Sequence, residues 1–295
     1  MSNPKNIPTF DFYKTLEQHN NFVFSKLENS YNTYNASLPH RHNYFEIIIF
    51  KESGGIHEID FRTFNIQKNT LHFVSPEQVH LLRRNKNVTG FVISFTSDLS
   101  LNLKINDSFF DSFPFLNNPY SQPIIELKDK FIAHKVFEII ENIEVEFNST
   151  NHDKQEILAL YLSILLVLSR RIYIQNADDE KPLILKNDLT HKFKKLVDLN
   201  FVTIKNVTEY ASLLNISAGH LNDSLQKGFG KSASEIIYER IILEAKRMLY
   251  HSSKSIKEIA AHLNYDDASY FSRFFKTHAK ITPDEFRKQI REKYQ

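Results

Sequence analysis

Val207-Thr-Glu-Tyr-Ala-Ser-Leu-Leu-Asn-Ile-Ser217 and Ile256-Lys-Glu-Ile-Ala-Ala-His-Leu-Asn-Tyr-Asp266 are two versions of one text. At an offset of 49 they put Glu209 over Glu258, Ala211 over Ala260, Leu214 over Leu263 and Asn215 over Asn264. One extra residue in the second copy then brings Leu221 over Phe271 and Leu225 over Phe275 at an offset of 50. Each copy spells helix, tight turn, helix. Asn206 with Glu209 and Ser255 with Glu258 form capping boxes that satisfy orphan amides of a first turn. Ala211 and Ala260 are small enough to let a second helix cross closely. Asn215 and Asn264 suit a left-handed turn residue, and Ser217 and Asp266 are placed to cap the helix that follows. Between the copies Ser232 and Glu235 start a long amphipathic run through Ile236, Ile237, Ile241, Leu243, Ala245, Met248 and Leu249, a rigid spacer between two helix-turn-helix units.

The surroundings of this repeat are basic. Up to Glu180 the chain has 17 Lys+Arg against 22 Asp+Glu; after it the count is 20 against 13, so −5 is followed by +7 within a total of +2. A basic half suits a polyanion, because each phosphate contact releases condensed counterions; a solvated surface with chance bias is the alternative that charge alone leaves open. The 295 residues allow two domains. A composition of 41% hydrophobic and 24% charged residues excludes a disordered chain or a coiled-coil rod, and the lack of cysteine excludes disulfides, thiolate metal sites and cysteine nucleophiles. No apolar segment follows Met1-Ser-Asn-Pro-Lys5. The longest apolar run, Ile157 to Leu168, stops at Arg170-Arg171, short of a membrane span, so the expected location is the cytoplasm without membrane partners.

Upstream the text turns to short β-rich runs broken by turn residues. Tyr44 to Phe50, Ile56 to Phe64, Leu71 to Val74 and Val88 to Phe95 read as strands broken by Ser53-Gly54-Gly55 and Ser75-Pro76. Beyond Pro123, Phe131, Val136, Ile139, Ile140 and Ile143 predict one helix, and Ile157, Leu160, Tyr161, Ile164, Leu165 and Leu168 a second. Those helices either bury against the sheet or pair with a second copy of the chain. Asn176 to Glu180 with Lys181-Pro182 predicts the linker.

The segment from about 187 to 295 resembles the DNA-binding domain of the AraC/XylS family of transcription regulators. Arg240-Ile-Ile-Leu-Glu-Ala-Lys-Arg-Met-Leu249 carries the likeness on the spacer helix. Ser255-Ile-Lys-Glu-Ile-Ala260, Asp267-Ala-Ser-Tyr-Phe-Ser-Arg-Phe-Phe-Lys276 and Ile281-Thr-Pro-Asp-Glu-Phe-Arg287 carry it in the second unit. The resemblance implies that the second helix of each unit enters the major groove. Phe271 and Phe275 then turn inward with Ile259 and Leu263, while Ser269, Ser272, Arg273 and Lys276 face the duplex. In the first unit the matching outward set is Ala218, Gly219, Asn222, Asp223 and Gln226, with His220 at the edge. Asp223 and Gln226 stand where the family usually has Arg and Lys, so an anion meets the expected phosphate, although Asn222 and Gln226 still suit adenine edges. Lys280 replaces the usual helix-ending glycine.

In the first half, His40-Arg-His42-Asn-Tyr44-Phe-Glu46 sets two imidazoles and a carboxylate at His-x-His-x3-Glu spacing, with His80 further on. His40, His42 and Glu46 would share one strand face. The pattern resembles the metal motif of cupin barrels, and Pro39 to Phe95 resembles the cupin sensor domains attached to AraC-type regulators, which often keep these residues without holding metal. The expectation is that His40, His42, Tyr44, Glu46 and His80 line the barrel mouth and meet an effector, with no catalytic residue, resident metal or cofactor. A polar pocket rim or a satisfied core network is the alternative for the histidines.

The expected architecture is a two-domain α+β chain: a cupin-like β-barrel sensor over 1–125, a helical dimerisation segment over 126–175, a linker over 176–186 and an all-α domain with two helix-turn-helix units over 187–295. The expected function is a one-component, sequence-specific transcription regulator rather than an enzyme. Its partners are double-stranded DNA, a small-molecule effector, RNA polymerase, as for an activator, and a second copy of the chain. A metal-dependent cupin enzyme with a helical tail is the alternative, and tandem units, a stiff spacer helix and a +7 half have no purpose in it.

Overall fold

The computed structural model describes residues 8–12, 21–28, 38–99, 109–117, 122–176 and 188–293. The expected linker, apart from Asn176, lies outside them. The chain divides into two compact units, Pro8–Asp178 and Asp179–Gln295.

The first unit is two stacked antiparallel sheets with helices on one outer face. Its strands are β1 (Thr9–Phe10), β2 (Phe22–Lys26), β3 (Arg41–His42), β4 (Phe45–Phe50), β5 (Gly55–Ile59), β6 (Arg62–Asn65), β7 (Thr70–Val74), β8 (His80–Arg84), β9 (Gly90–Phe95) and β10 (Ile124–Glu126). Five of them form a sheet in the order β10-β7-β4-β9-β2, three a sheet β6-β5-β8, and β1 pairs with β3 in parallel. The described strands thus form separate sheets rather than the continuous closed barrel expected. A backbone bridge from His40 to His80 ties the β3 side to β8.

β4 explains the layering. Phe45-Glu-Ile-Ile-Ile-Phe50 is buried at every position. Phe45, Ile47 and Ile49 join Leu71, Phe73, Phe91, Ile93 and Phe95 in the core beneath the helices; Ile48 and Phe50 join Leu82, Val88 and Val92 between the sheets. A strand with no solvent face reads as a continuous apolar run, which is why alternation is missing there. The run Ile56 to Phe64, expected as one strand, is a hairpin. Asp60 and Phe61 both adopt positive φ, 42° and 71°, the geometry of a tight reversing turn.

Helix α1 (Pro114–Asn117) precedes β10. It is followed by α2 (Lys130–Phe147), capped by Asp129, which accepts from the amides of Phe131 and Ile132, and α3 (Lys154–Asn176). Ala133, Val136, Ile140 and Ile143 of α2 and Leu158, Leu162, Leu165, Leu166 and Ile172 of α3 share one core with the five-stranded sheet. Residues 126–175 are therefore built into the first unit rather than a separate layer. The α3 helix continues past Arg170-Arg171 and is, by length and composition, apolar enough to cross a membrane, contrary to the reading of its apolar run. One of its faces is seated on the sheet core.

The second unit is helical: α4 (Asp188–Asn200), α5 (Val207–Leu213), α6 (Ala218–Phe229), α7 (Ala233–His251), α8 (Ile256–His262), α9 (Ala268–Ala279) and α10 (Pro283–Lys293). The repeat is visible in its hydrogen bonds. The amide of Ile216 donates to Ala211 O at 3.0 Å and that of Tyr265 to Ala260 O at 2.9 Å, each closing a turn in which Asn215 or Asn264 takes φ near +55°. Ser232–Glu235 and Ser255–Glu258 form reciprocal capping boxes. α9 is capped by Asp267, not Asp266: Asp267 Oδ1 accepts from Ser269 N at 2.6 Å. The extra residue of the second copy moves the cap by one.

Candidate DNA-facing surface and buried histidine cluster

Helices α6 and α9 each hide one stripe and show another. Leu221 and Leu225 in α6, and Phe271 and Phe275 in α9, are fully buried, because residues four apart share a helix face. On the opposite stripe of α9, Ser269, Arg273 and Lys276 are exposed and Ser272 is half-buried, its hydroxyl donating to Ala268 O at 2.8 Å. On α6, Gly219, His220, Asp223 and Gln226 are exposed, with Ala218 half-buried. Asn222 departs from the expected picture. It is half-buried and its Oδ1 accepts from Ala233 N at 2.9 Å, so its carbonyl is committed to the start of α7 rather than presented to an adenine edge. Behind α9, Tyr238 of α7 packs on Phe274 and His278, with ring centroids 5.4 and 4.9 Å away, which fixes the helix against the spacer.

The first unit gathers its polar groups inside. Glu46 and His72 lie on the inward faces of β4 and β7; His57 and His80 lie on β5 and β8 of the other sheet, and all are buried. His42 Nε2 and His80 Nε2 approach Glu46 Oε2 at 4.0 and 3.9 Å, and the three donor atoms lie within 4.8 Å of one another. Tyr44 stacks on His42 at 4.0 Å, and the His40 and His80 ring centroids are 4.1 Å apart. His42 Nδ1 faces Tyr44 O at 2.7 Å and His40 Nδ1 faces Leu38 O at 2.9 Å. A carbonyl only accepts, so both Nδ1 atoms carry the proton and both Nε2 atoms carry the lone pair. Burial pushes the imidazoles of His40 down to about 4, of His42 and His72 to about 3, and of His57 and His80 well below their usual range, so all five are neutral at pH 7. The expectation of a barrel mouth is corrected: His40, His42, Tyr44, Glu46 and His80 are brought together, but in the interior between the sheets.

Two family models match this chain. The AraC-like ligand binding domain matches residues 21–161 and the Helix-turn-helix domain residues 210–289. The chain belongs to the AraC family of transcription regulators. Among its relatives, the HTH-type transcriptional regulator YfiF of Bacillus subtilis (strain 168) is 24% identical over 265 residues, covering 88% of this chain and 81% of that protein. The HTH-type transcriptional activator RhaR of Cronobacter sakazakii (strain ATCC BAA-894) is 24% identical over 266 residues, covering 86% and 88%. The crystal structure of ToxT from Vibrio cholerae O395 aligns with 92% of this chain and 98% of its own at 16% identity and a TM-score of 0.42. Both family models are those of a regulator, which removes the cupin-enzyme alternative.

Within this AraC-family chain two features escaped the sequence reading. Lys227 is exposed at the end of α6, next to Gln226; at the offset of 50 it overlies Thr277, so the first repeat carries a cation one position further along than Lys276 does in the second. The adjacent Lys in the sequence was the available signal. His57 and His72 join the cluster without any motif spacing, because only the pairing of β5 with β8 and of β4 with β7 brings them to His80. The donor set also fits a metal ion of the kind the cupin likeness implies. His42 Nε2 and His80 Nε2 are buried without a hydrogen-bond partner, an arrangement that costs about 1–3 kcal/mol each when nothing compensates it. Two ligands on one transition-metal ion stand at most about 4.2 Å apart, so His42, Glu46 and His80 reach a common ion with adjustments of roughly half an ångström.

Proposed function

We propose that this protein is a cytoplasmic one-component activator that binds DNA through two helix-turn-helix units, α5–α6 and α8–α9, and whose sensor unit is a cupin-like sandwich of sheets with an effector site at the histidine cluster. The observation that carries the reading is the repeated helix pair with a buried apolar stripe and an exposed polar one, cationic at Arg273 and Lys276 in the second copy. In this reading Arg273 pairs with a guanine edge or phosphate and Lys276 with a phosphate, while Ala218, Gly219, His220, Gln226, Lys227, Ser269 and Ser272 complete the contacts. Asn222 holds α6 to α7. The activator sense, and with it contact to RNA polymerase, follows the RhaR relative, a transcriptional activator by name.

Dimerisation is assigned to the outer face of α2 and α3. Leu160 and Ile164, one turn apart on α3, are each about half exposed, as are Phe131 and Val145 on α2 to a greater degree. An apolar stripe left over on a helix already seated on a core suits a second copy of the same stripe. In this reading His42, Glu46 and His80 would hold a divalent metal ion, which supplies a charge and an open coordination position for an anionic or oxygen-bearing effector. The rest of the recognition is done by the protein: Tyr44 covers His42, and the stacked sheets exclude water.

Selection from a random duplex pool tests the DNA reading. It should enrich a site with two elements about one helical turn apart, roughly 10–10.5 base pairs. Recovery of unenriched sequence would overturn it. Light scattering should report a dimer that Leu160→Lys with Ile164→Lys dissociates; a parent chain monomeric at micromolar concentration, or one that partitions into detergent through α3, contradicts the dimer assignment.

A further inference from the structure

His57 and His72 are fully buried and lie outside the ligand set, yet they form an unbroken chain of contacts with it. His80 Nδ1 is 3.2 Å from His57 Nε2, and His57 Nδ1 is 3.0 Å from His72 Nδ1. The His57–His72 contact crosses from the three-stranded to the five-stranded sheet, with the rings stacked at 5.2 Å and 13°. His57 is hydrogen-bonded at both ring nitrogens, so it donates at one and accepts at the other, and each neutral imidazole carries one N–H. Two hydrogen bonds along three rings then admit only two proton arrangements. In one, His80 Nδ1–H donates to His57 Nε2 and His57 Nδ1–H donates to His72 Nδ1, leaving a lone pair on His80 Nε2. In the other every donor is reversed, and His80 Nε2 carries a proton that faces Glu46.

We propose that His57 and His72 are positioning residues for a divalent transition-metal site at His42, Glu46 and His80, holding the proton at His80 Nδ1 so that Nε2 stays open as a ligand. This deepens the sensor reading and rests on its assignment of the histidine cluster as the effector site. Three features converge on it. His42, whose Nδ1 proton is fixed by Tyr44 O, already presents Nε2, so one of the two imidazoles is set without help. His80 has no carbonyl on its Nδ1 in that role; His57 takes its place. The final atom of the chain, His72 Nε2, is buried without a hydrogen-bond partner, as is His80 Nε2 at the other end, so the two orphaned ends of one chain trade a proton between them and the count over the three rings is unchanged when the arrangement reverses. A hydrogen-bond partner on the far nitrogen of a ligating histidine orients the ring and fixes its tautomer, and losing it costs about 10–100-fold in metal affinity.

Cobalt(II) titrated into the full-length, metal-stripped protein provides both an affinity and a visible d–d spectrum that reports the ligand field. The parent should bind one equivalent, and His42→Ala should abolish it. His57→Leu, which cannot accept from His80, should weaken cobalt binding about 10–100-fold and shift the spectrum. His57→Gln, whose side-chain carbonyl accepts the same proton, should restore most of both. His72→Leu, which touches no ligand, should weaken binding several-fold with native circular dichroism, and it serves where His57→Leu does not fold. Parent-like cobalt affinity and spectrum in His57→Leu, or in His72→Leu where His57→Leu does not fold, overturn the positioning role. A parent protein that binds no cobalt overturns the metal site itself. Binding of operator DNA, read separately, follows Arg273 rather than His57, so failure of the DNA reading is distinguishable from either result.

Discussion

In the sensor unit five histidines are at most 2% exposed and held neutral by burial, whereas the helical unit shows Arg273 and Lys276 to solvent, each on the far side of a helix from a buried phenylalanine. The first arrangement makes its chemistry out of desolvation: lone pairs gain force because water is absent, and proton positions are fixed by neighbours. The second makes it out of exposure, since a cation that meets phosphate must be reachable and is screened by salt. On the proposed reading one chain carries two sites with opposite sensitivities, acid for the inner one and ionic strength for the outer one.

The largest effect expected on this contrast is acid destabilisation of the sensor unit. Each cluster ring is neutral when folded and takes a proton near its ordinary value of 6.5 once unfolded, so the unfolded state gains protons first as pH falls and stability is lost from about 6.5 down to about 4 for His40 and about 3 for His42 and His72. At pH 5 this amounts to as much as roughly 2 kcal/mol per histidine. Calorimetry of the whole chain should show the sensor transition falling by many degrees from pH 7 to pH 5, and a sensor transition flat over that range would break the comparison.

Next in size, Arg273→Ala should cost about 1–3 kcal/mol of operator binding and, if the contact is to phosphate, lower the salt slope by about one unit. Equal affinity in parent and variant at two salt concentrations would show that the outer stripe of α9 does not touch DNA. A smaller and opposite change is expected from Asp223→Arg. It replaces an exposed anion by a cation on α6 and should tighten binding to cognate and scrambled duplexes alike by several-fold, relaxing specificity. Weaker binding to both duplexes would overturn the electrostatic asymmetry between α6 and α9.

The smallest change sharpens the likeness of the two repeats. Gly230 ends α6 at φ +65° and Lys280 ends α9 at φ +68°, the same left-handed cap with and without a Cβ. Left-handed geometry costs a non-glycine residue about 1–2 kcal/mol, part of which glycine gives back in chain entropy, so Lys280→Gly should raise stability by at most about 1 kcal/mol. A lower melting temperature for this variant would show that the Lys280 Nζ bond to Thr277 O, at 3.0 Å, outweighs the backbone cost.

The helical unit was legible in the sequence wherever the information was local. The capping residues, the left-handed asparagines and the buried pair Phe271 and Phe275 are all set by neighbours within four positions. Local reading failed by one residue at Asp266, where an insertion shifted the cap, and at Asn222, where the partner Ala233 belongs to the next helix. In the sensor unit His42, Glu46 and His80 were singled out by spacing, but their burial was not, since it depends on a second sheet closing over β4. β8 went unread because His-Leu-Leu-Arg-Arg lacks alternation, and with it went the register that brings His57 to His80.

Glu46 and Ile47 are successive residues on one strand, the first among the histidines and the second in the core shared with α2 and α3. A pleated strand packed on both sides has nowhere to yield, because close-packed interiors pass displacement on rather than absorb it. Drawing the carboxylate of Glu46 inward by a fraction of an ångström therefore tugs the isoleucine beside it away from the helices by a comparable amount. On that packing, β4 would carry a displacement at the cluster to α2 and α3, which line the core on its other face.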